Sequence, residues 1–317
     1  VSKRIAVLDL SHYTRGTPAE RERFIRAWGE GLVEFGFVSI VNHGVDDALI
    51  RRTYADAERL FALPKEAKQR YVIPGGGGQR GYTPFGREHA KNRTVGDLKE
   101  FWHVGRDLPA GHTRRSVYGE NVWPSEVATF RENSLALFDA LDAAAAVMLQ
   151  ALAEFFGLPR TTFSDMARDG NSVLRIIHYP PLKDMFIPGG VRAAEHEDIN
   201  LITLLCESTS SGLEILTRQK EWLAIDSLKG QIVVDSGDML SRVTNEVIPS
   251  TTHRVVNPKT SNEDVVRYSM PFFVHPWPDC SLAIPDAFVT PDRPKKYPAI
   301  TADEFLRQRL REIGLIK

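Results

Sequence analysis

In the first half of the chain the apolar residues recur at helical spacing, and after residue 170 they gather into short runs separated by turn-forming residues. Residues 19–35, AERERFIRAWGEGLVEF, set Phe24, Ala27, Trp28 and Leu32 on one side of a predicted helix that stops at Gly36. The words GFVSIVNHGV then read as a strand running into a turn. A second amphipathic helix is predicted over 46–63, carrying Ile50, Tyr54, Ala57 and Phe61 and closed by Pro64. A flexible break follows at 74–78, PGGGG. The longest predicted helix, 127–157, carries a stripe of Phe130, Leu137, Leu141, Met148, Leu152 and Phe155 and ends before Gly157 and Pro159.

The second half changes texture. SVLRIIHYPP, NLITLLCES, SGLEILT, EWLAIDS, QIVVDSGDML, THRVVNP and DVVRYSMPFFVHP are strand-like runs, and their spacing predicts a sandwich or barrel. Near the end, Thr301 with Glu304 three residues on is a capping-box helix start. No repeat recurs at a fixed period. The layout is a helix-rich N-terminal region, 1–165, wrapped on a β core over 170–280, with a helical segment over 281–317. We expect one compact unit that is mainly β with helical flanks, although length alone would allow two domains.

Charge and cysteine content narrow the chemistry. Forty Lys and Arg against 41 Asp and Glu leave a net charge of −1, without the basic excess a nucleic-acid partner calls for. No run resembles the roughly 20 apolar residues of a membrane helix, so no membrane partner is expected. The opening VSKRIAVLDL reads as an early strand rather than a signal peptide, and its start at Val is expected to be a trimmed end. Cys206 and Cys280 cannot form a disulfide framework or a four-thiolate metal site; a reducing cytoplasm suits the chain, and any metal must be held by His and carboxylate.

His196 and Asp198 in AEHEDINLITLL are two apart, so in an extended segment they point to one side while Glu197 points away. With His253 from THRVV they make a two-His, one-carboxylate set, which leaves the opposite positions of a metal open, as non-haem Fe(II) oxygenases need. Taken singly, a His-X-Asp is common by chance. The downstream pair Arg267 and Ser269 changes the weight of that pattern. They are also two apart on a predicted strand, fourteen residues beyond His253, and an Arg fork beside a hydroxyl suits a carboxylate.

These words, in the order IAVLDLS, GFVSIVNHGV, FALPKEAK, RGYTPFG, HYPP, HEDINLITLL, GLEIL, EWLAI, GQIVVDSGDMLSRVTNEVIPSTTHRVV and RYSMPFF, resemble the isopenicillin N synthase-like family of Fe(II)/2-oxoglutarate-dependent oxygenases over nearly the whole chain. The resemblance implies a double-stranded β-helix, or jelly-roll, core. It implies iron on His196, Asp198 and His253, and 2-oxoglutarate held by Arg267 and Ser269 with Tyr179 of HYPP beside it. Two departures stand out. The family's frequent Asn two residues before that tyrosine is Ile177 here, and NPKTSNED reads as an enlarged hairpin turn between His253 and Arg267.

The activity implied is oxidation of a small molecule, by hydroxylation or desaturation, with O2 as oxidant and succinate and CO2 released. An intact Asp198 speaks against halogenation. Two alternatives stay open: an iron-dependent oxidase or ethylene-forming member that does not couple 2-oxoglutarate to substrate hydroxylation, and a catalytically silent binding protein of the same fold. For the substrate side the resemblance points to Tyr82, Arg87, Phe101 and His103, with Arg87 suited to an amino acid, a peptide or an organic acid. His43, His178 and His275 read as structural, and Cys206 as a small core residue.

Overall fold

The computed structural model describes residues 4–76, 78–87, 97–184, 190–225, 229–258, 260 and 264–312. The chain opens with β1 (Val7–Asp9), α1 (Ser11–Thr14), α2 (Pro18–Phe35), β2 (Phe37–Val41), α3 (Asp47–Phe61), α4 (Lys65–Gln69), β3 (Gly81–Thr83) and β4 (Glu100–Gly105). It continues through α5 (Phe130–Phe155), α6 (Thr162–Ala167), β5 (Val173–Tyr179), β6 (Ala193–His196), β7 (Ile202–Cys206), β8 (Leu213–Leu216) and β9 (Trp222–Ala224). Last come β10 (Ile232–Ser236), α7 (Asp238–Val243), β11 (His253–Val255), β12 (Arg267–Ser269), β13 (Pro271–Val274) and α8 (Ala302–Glu312).

The strands form two facing sheets, the jelly-roll arrangement. The larger runs β1-β2-β10-β7-β13-β5-β4-β3, with β12 also pairing β5; the smaller runs β6-β11-β8-β9. Strand alternation divides the larger sheet into two faces. One carries Val38, Ile40, Trp102, Val104, Leu174, Ile176, Leu204, Cys206, Val234 and Phe272, which join the helices in the main core. The other faces the smaller sheet in two clusters, Phe37, Leu205 and Val233 against Leu213 and Ile215, and Phe101, Ile177 and Tyr179 against Ala193 and Val255. The inward face is the one that carries the chemistry below.

The helices form where periodicity and end signals agree. Thr17 and Glu20 close a capping box on α2, Pro18 supplies the preset first turn, and Gly36 ends it in the left-handed region at φ 67°. Trp28 is fully buried from this helix and its indole donates to the Met148 carbonyl at 3.1 Å, joining α2 to α5. Asp46 caps α3, and the Thr301–Glu304 pair starts α8 as expected.

Three expectations change. The N-terminal region is more than a helical wrap, because β1 to β4 extend the larger sheet. β1 and β2 fall where strands were expected, whereas β3 and β4 are short and set among turns, which hid them. Phe130–Phe155 is by length and composition apolar enough to cross a membrane, against the sequence-based expectation of no such segment. Here it packs on α2, α3, α6 and the sheet, and Leu137, Leu141, Met148, Leu149 and Leu152 are fully buried in the core. DVVRYSMPFFVHP, read as one run, splits at Met270 into β12 and β13, because Pro271 has no N–H for a ladder and can only begin a strand. QIVVDSGDML likewise ends at Ser236, and its last residues open α7. The proposed NPKTSNED turn and the glycine run at 74–78 lie partly outside the described residues.

Candidate metal centre

His196 ends β6 and His253 begins β11, and the antiparallel register sets the two directly opposite each other, ring centroids 4.3 Å apart. Asp198 follows just beyond β6, and its Oδ1 lies 3.9 Å from His196 Nε2 and 3.8 Å from His253 Nε2. One donor atom from each residue falls within 4.8 Å of the others. Glu197 is turned outward, where it accepts a hydrogen bond from Thr252.

Neighbouring groups fix how each donor is presented. His196 Nδ1 lies 2.7 Å from the Ala194 carbonyl and His253 Nδ1 3.1 Å from the Thr251 carbonyl. A carbonyl can only accept, so Nδ1 carries the proton and the Nε2 lone pair faces the shared centre. Burial pushes the His253 imidazolium down to about 4, helped by neighbouring His196, so this ring is neutral at physiological pH. Phe37 stands edge-on to it at 5.6 Å. Asp198 accepts a hydrogen bond from the Thr203 hydroxyl, which in turn receives one from Asn200 Nδ2 at 3.0 Å. Behind them, burial and then the nearby Asp198 charge raise the Asp235 carboxyl well above the usual range. Two imidazoles with Nε2 turned inward and one carboxylate on a single side fit a non-haem iron site with open positions.

Arg267 is 1 % exposed on β12. Its Nε donates to the Ser210 carbonyl at 3.1 Å, its guanidinium lies 5.0 Å from the Tyr179 ring, and its Nη1 has no hydrogen-bond partner. The register pairs Arg267 with Tyr179 and Ser269 with Ile177, so the clamp candidates meet across β12 and β5. A buried guanidinium with an unused donor fits a ligand carboxylate, which would compensate both charge and hydrogen bond. Arg192, which sequence reasoning missed, is a second buried arginine here: its Nη2 donates to the Val265 carbonyl at 2.7 Å, and its Nε makes no hydrogen bond. Burial, and then the like charge of Arg267, lower its pKa.

The substrate candidates divide. Phe101 and His103 are on the inward face, ring centroids 4.8 Å apart. His103 Nδ1 lies 2.6 Å from the Gly78 carbonyl and its Nε2 takes a hydrogen bond from Arg175 Nε at 2.6 Å. Arg175, also missed, spreads over Phe101 at 4.3 Å and Phe273 at 5.1 Å. Tyr82 pairs with Trp102 and faces the other way, donating its hydroxyl to Glu100 in a buried network with Lys68 and His178. Arg87 is exposed at the surface, whereas Phe101 and His103 are buried. His178 and His43 are packed and hydrogen-bonded, as a structural reading expects. Cys206 is fully buried on the helix-facing side, its thiol pushed up to about 12 by burial. No local signature marked Arg192, Arg175 or Thr203; only the order of strands assembles them.

Comparison with known proteins agrees with this geometry. Residues 5–126 match the family described as non-haem dioxygenase in morphine synthesis, N-terminal, and residues 170–276 match the 2OG-Fe(II) oxygenase superfamily. The chain is 30 % identical over 313 residues to a 2-oxoglutarate-Fe(II) type oxidoreductase of Emericella nidulans, covering 95 % of this chain and 88 % of the relative. A crystal structure of a 2OG-Fe(II) oxygenase family protein from Caulobacter crescentus superposes with a TM-score of 0.87 at 43 % identity, over 97 % of this chain and 98 % of the other. A full-length Neurospora crassa protein crystallised with α-ketoglutarate and thymine superposes with a TM-score of 0.84 at 28 % identity, over 97 % and 96 % of the two chains.

Proposed function

The chain belongs to the Fe(II)/2-oxoglutarate-dependent oxygenases of the isopenicillin N synthase-like family, and we propose that His196, Asp198 and His253 hold its iron while Arg267, Ser269 and Tyr179 hold 2-oxoglutarate. The enzyme is an oxidoreductase acting on small molecules with Fe(II), 2-oxoglutarate and O2. When bound, the iron would activate O2, the oxidant, with 2-oxoglutarate giving up two electrons as it leaves as succinate and CO2. The protein's own task is to bind, orient and shield.

Arg267 takes the distal carboxylate of 2-oxoglutarate through its unused Nη1, with the Ser269 hydroxyl and the Tyr179 ring alongside. Thr203 holds Asp198 in one orientation, and the carbonyls of Ala194 and Thr251 hold the two imidazoles. Phe101, Ile177, Ala193 and Val255 form an apolar wall that excludes water from the cosubstrate side. On the open side Phe101, His103, Arg175 and Phe273 receive the substrate.

The observation that carries this reading is the orphaned Nη1 on the buried Arg267, whose register partner Tyr179 clusters with Ala193 and Val255 of the strands that carry His196 and His253. Replacing Arg267 by leucine is expected to raise the KM for 2-oxoglutarate by roughly 100-fold, since a hydrogen bond to a charged group contributes about 1.5–3 kcal/mol and each 1.4 kcal/mol is tenfold. Initial rates of succinate formation against 2-oxoglutarate concentration read it, and an unchanged KM would remove Arg267 from the cosubstrate site. Thr203→Val tests the support of the carboxylate. It should weaken divalent-metal binding about 10–100-fold, measured by calorimetric titration, and unaltered affinity would show that the hydroxyl does not orient Asp198.

A further inference from the structure

Arg80 stands just before β3, and its guanidinium lies against the backbone of Gly105 at the end of β4. A Cβ built on Gly105 would fall 1.8 Å from Arg80 Cζ, so the guanidinium occupies the space a side chain there would take. Gly105 follows Phe101 and His103 on the inward face of β4. Arg80 is 5 % exposed. Its Nη1 donates to the Gln79 carbonyl at 2.8 Å and its Nη2 to Asn171 Oδ1 at 3.2 Å, while its Nε makes no hydrogen bond. No carboxylate among the described residues pairs with it. Burial pushes the guanidinium down to about 10, opposed only by Tyr118. Nearby Arg106 shows the alternative, a two-pronged pair with Asp142 at 3.0 and 2.7 Å. An unpaired buried guanidinium is costly to folding, and a site that keeps one has a use for the charge.

His275 faces the same region. Pro271, Phe273 and His275 alternate inward along β13 and just past its end, and Phe273 pairs with Thr203, which bonds Asp198. The imidazole Nδ1 has no hydrogen-bond partner. Desolvation pushes its pKa down to about 4, and the charges of Asp198 and Arg80 both act on it. The imidazole is buried, with no accessible surface at Nδ1. Two unused polar atoms, one cationic and one neutral, thus flank the inward face beyond the metal centre.

We propose that Arg80, with His275 and Asn171, is the subsite that receives a carboxylate of the substrate, so that the molecule oxidised is a small organic acid. The inference rests on the oxygenase reading and adds to it the substrate class. A carboxylate supplies the missing counter-charge, accepts from the free Nε and an adjacent Nη in the planar fork geometry of guanidinium, and accepts from a neutral imidazole N–H. Arg80, rather than the exposed Arg87, is then the arginine that selects an acid.

The test is calorimetric titration of the Fe(II)-loaded protein at saturating 2-oxoglutarate under argon, which keeps Arg267 occupied. The probes are phenylacetate, 3-phenylpropionate and 4-phenylbutyrate, each beside its primary amide. At least one acid is expected to bind roughly tenfold or more tighter than its amide. Arg80→Met should erase that preference and leave the Tm at or above the wild-type value, because it removes an unpaired buried charge. Gly105→Ala, which puts a methyl where the guanidinium lies, should erase it with Arg80 still present. Acids and amides binding alike across the series, or an acid preference that survives in Arg80→Met, would overturn the proposal. Succinate formation by the wild-type protein, measured on the same samples in air, reads the oxygenase assignment separately: its absence would strike that reading and leave the acid–amide comparison to decide the role of Arg80.

Discussion

Replacing Asp198 by alanine is expected to abolish 2-oxoglutarate-dependent turnover and to lower iron affinity by roughly 100-fold. Structural metal sites bind with about 10–16 kcal/mol spread over four ligands, so one ligand is worth about 3 kcal/mol. Here the missing ligand is also the anionic member of the proposed set, the other two being imidazoles. The substitution leaves the Thr203 hydroxyl without its carboxylate acceptor. Asp198 lies outside the strands, so the far-UV circular dichroism should be unaltered. Iron titration and succinate release check the two parts. Full activity with iron bound would sink the assignment of Asp198 as a ligand.

Glu100→Gln is expected to be the most damaging single change to stability away from the metal. Glu100 is 1 % exposed and Lys68 7 %. Lys68 Nζ donates to both carboxylate oxygens at 2.9 and 2.8 Å and to the Phe61 carbonyl at 3.0 Å, while His178 and Tyr82 bond the same carboxylate. Breaking a buried pair from one side typically costs about 3–5 kcal/mol, because the remaining charge is left unpaired in a dry site. Urea unfolding reads the loss, and a change below about 1 kcal/mol, the scale of exposed pairs, would contradict it. The double replacement Lys68→Met with Glu100→Leu should recover much of the loss, since it leaves no charge behind.

Acid has the same target. Burial alone would raise the Glu100 carboxyl, but the hydrogen bonds from His178, Lys68 and Tyr82 outweigh it and hold the group below its unfolded value. The network's contribution is therefore fully present above the ordinary carboxylate range and is lost as pH falls through the lower, folded value. Its position links it to function. Glu100 and His178 are register partners on β4 and β5, whose opposite faces carry Phe101, His103, Arg175 and Tyr179.

What could be read from the sequence was what lies close along the chain or follows strand parity. His196 and Asp198 are two apart, Arg267 and Ser269 are two apart, and both pairs do share a side in the fold. The helices with end signals at Gly36 and at Thr301 were legible for the same reason, while the Thr17 capping box was missed. Arg80, Arg175, Thr203 and His275 carried no such mark. They meet only because β4, β5, β13 and β7 lie side by side in an order unrelated to sequence, which no local pattern encodes. Tyr82 misled because parity turns on the register of a three-residue strand: one residue's shift would have faced it inward. Arg87 is exposed, and residue type alone does not say which partner such an arginine meets.

The proposed assignment places iron on His196, Asp198 and His253 and 2-oxoglutarate on Arg267. Its most direct measurement is the visible absorption of the Fe(II)-loaded protein as 2-oxoglutarate is added without oxygen. A weak metal-to-ligand charge-transfer band should appear and saturate in the wild type, and Arg267→Leu should need roughly 100-fold more 2-oxoglutarate to reach it. Iron bound without any band, or a band that saturates identically in Arg267→Leu, would contradict the account.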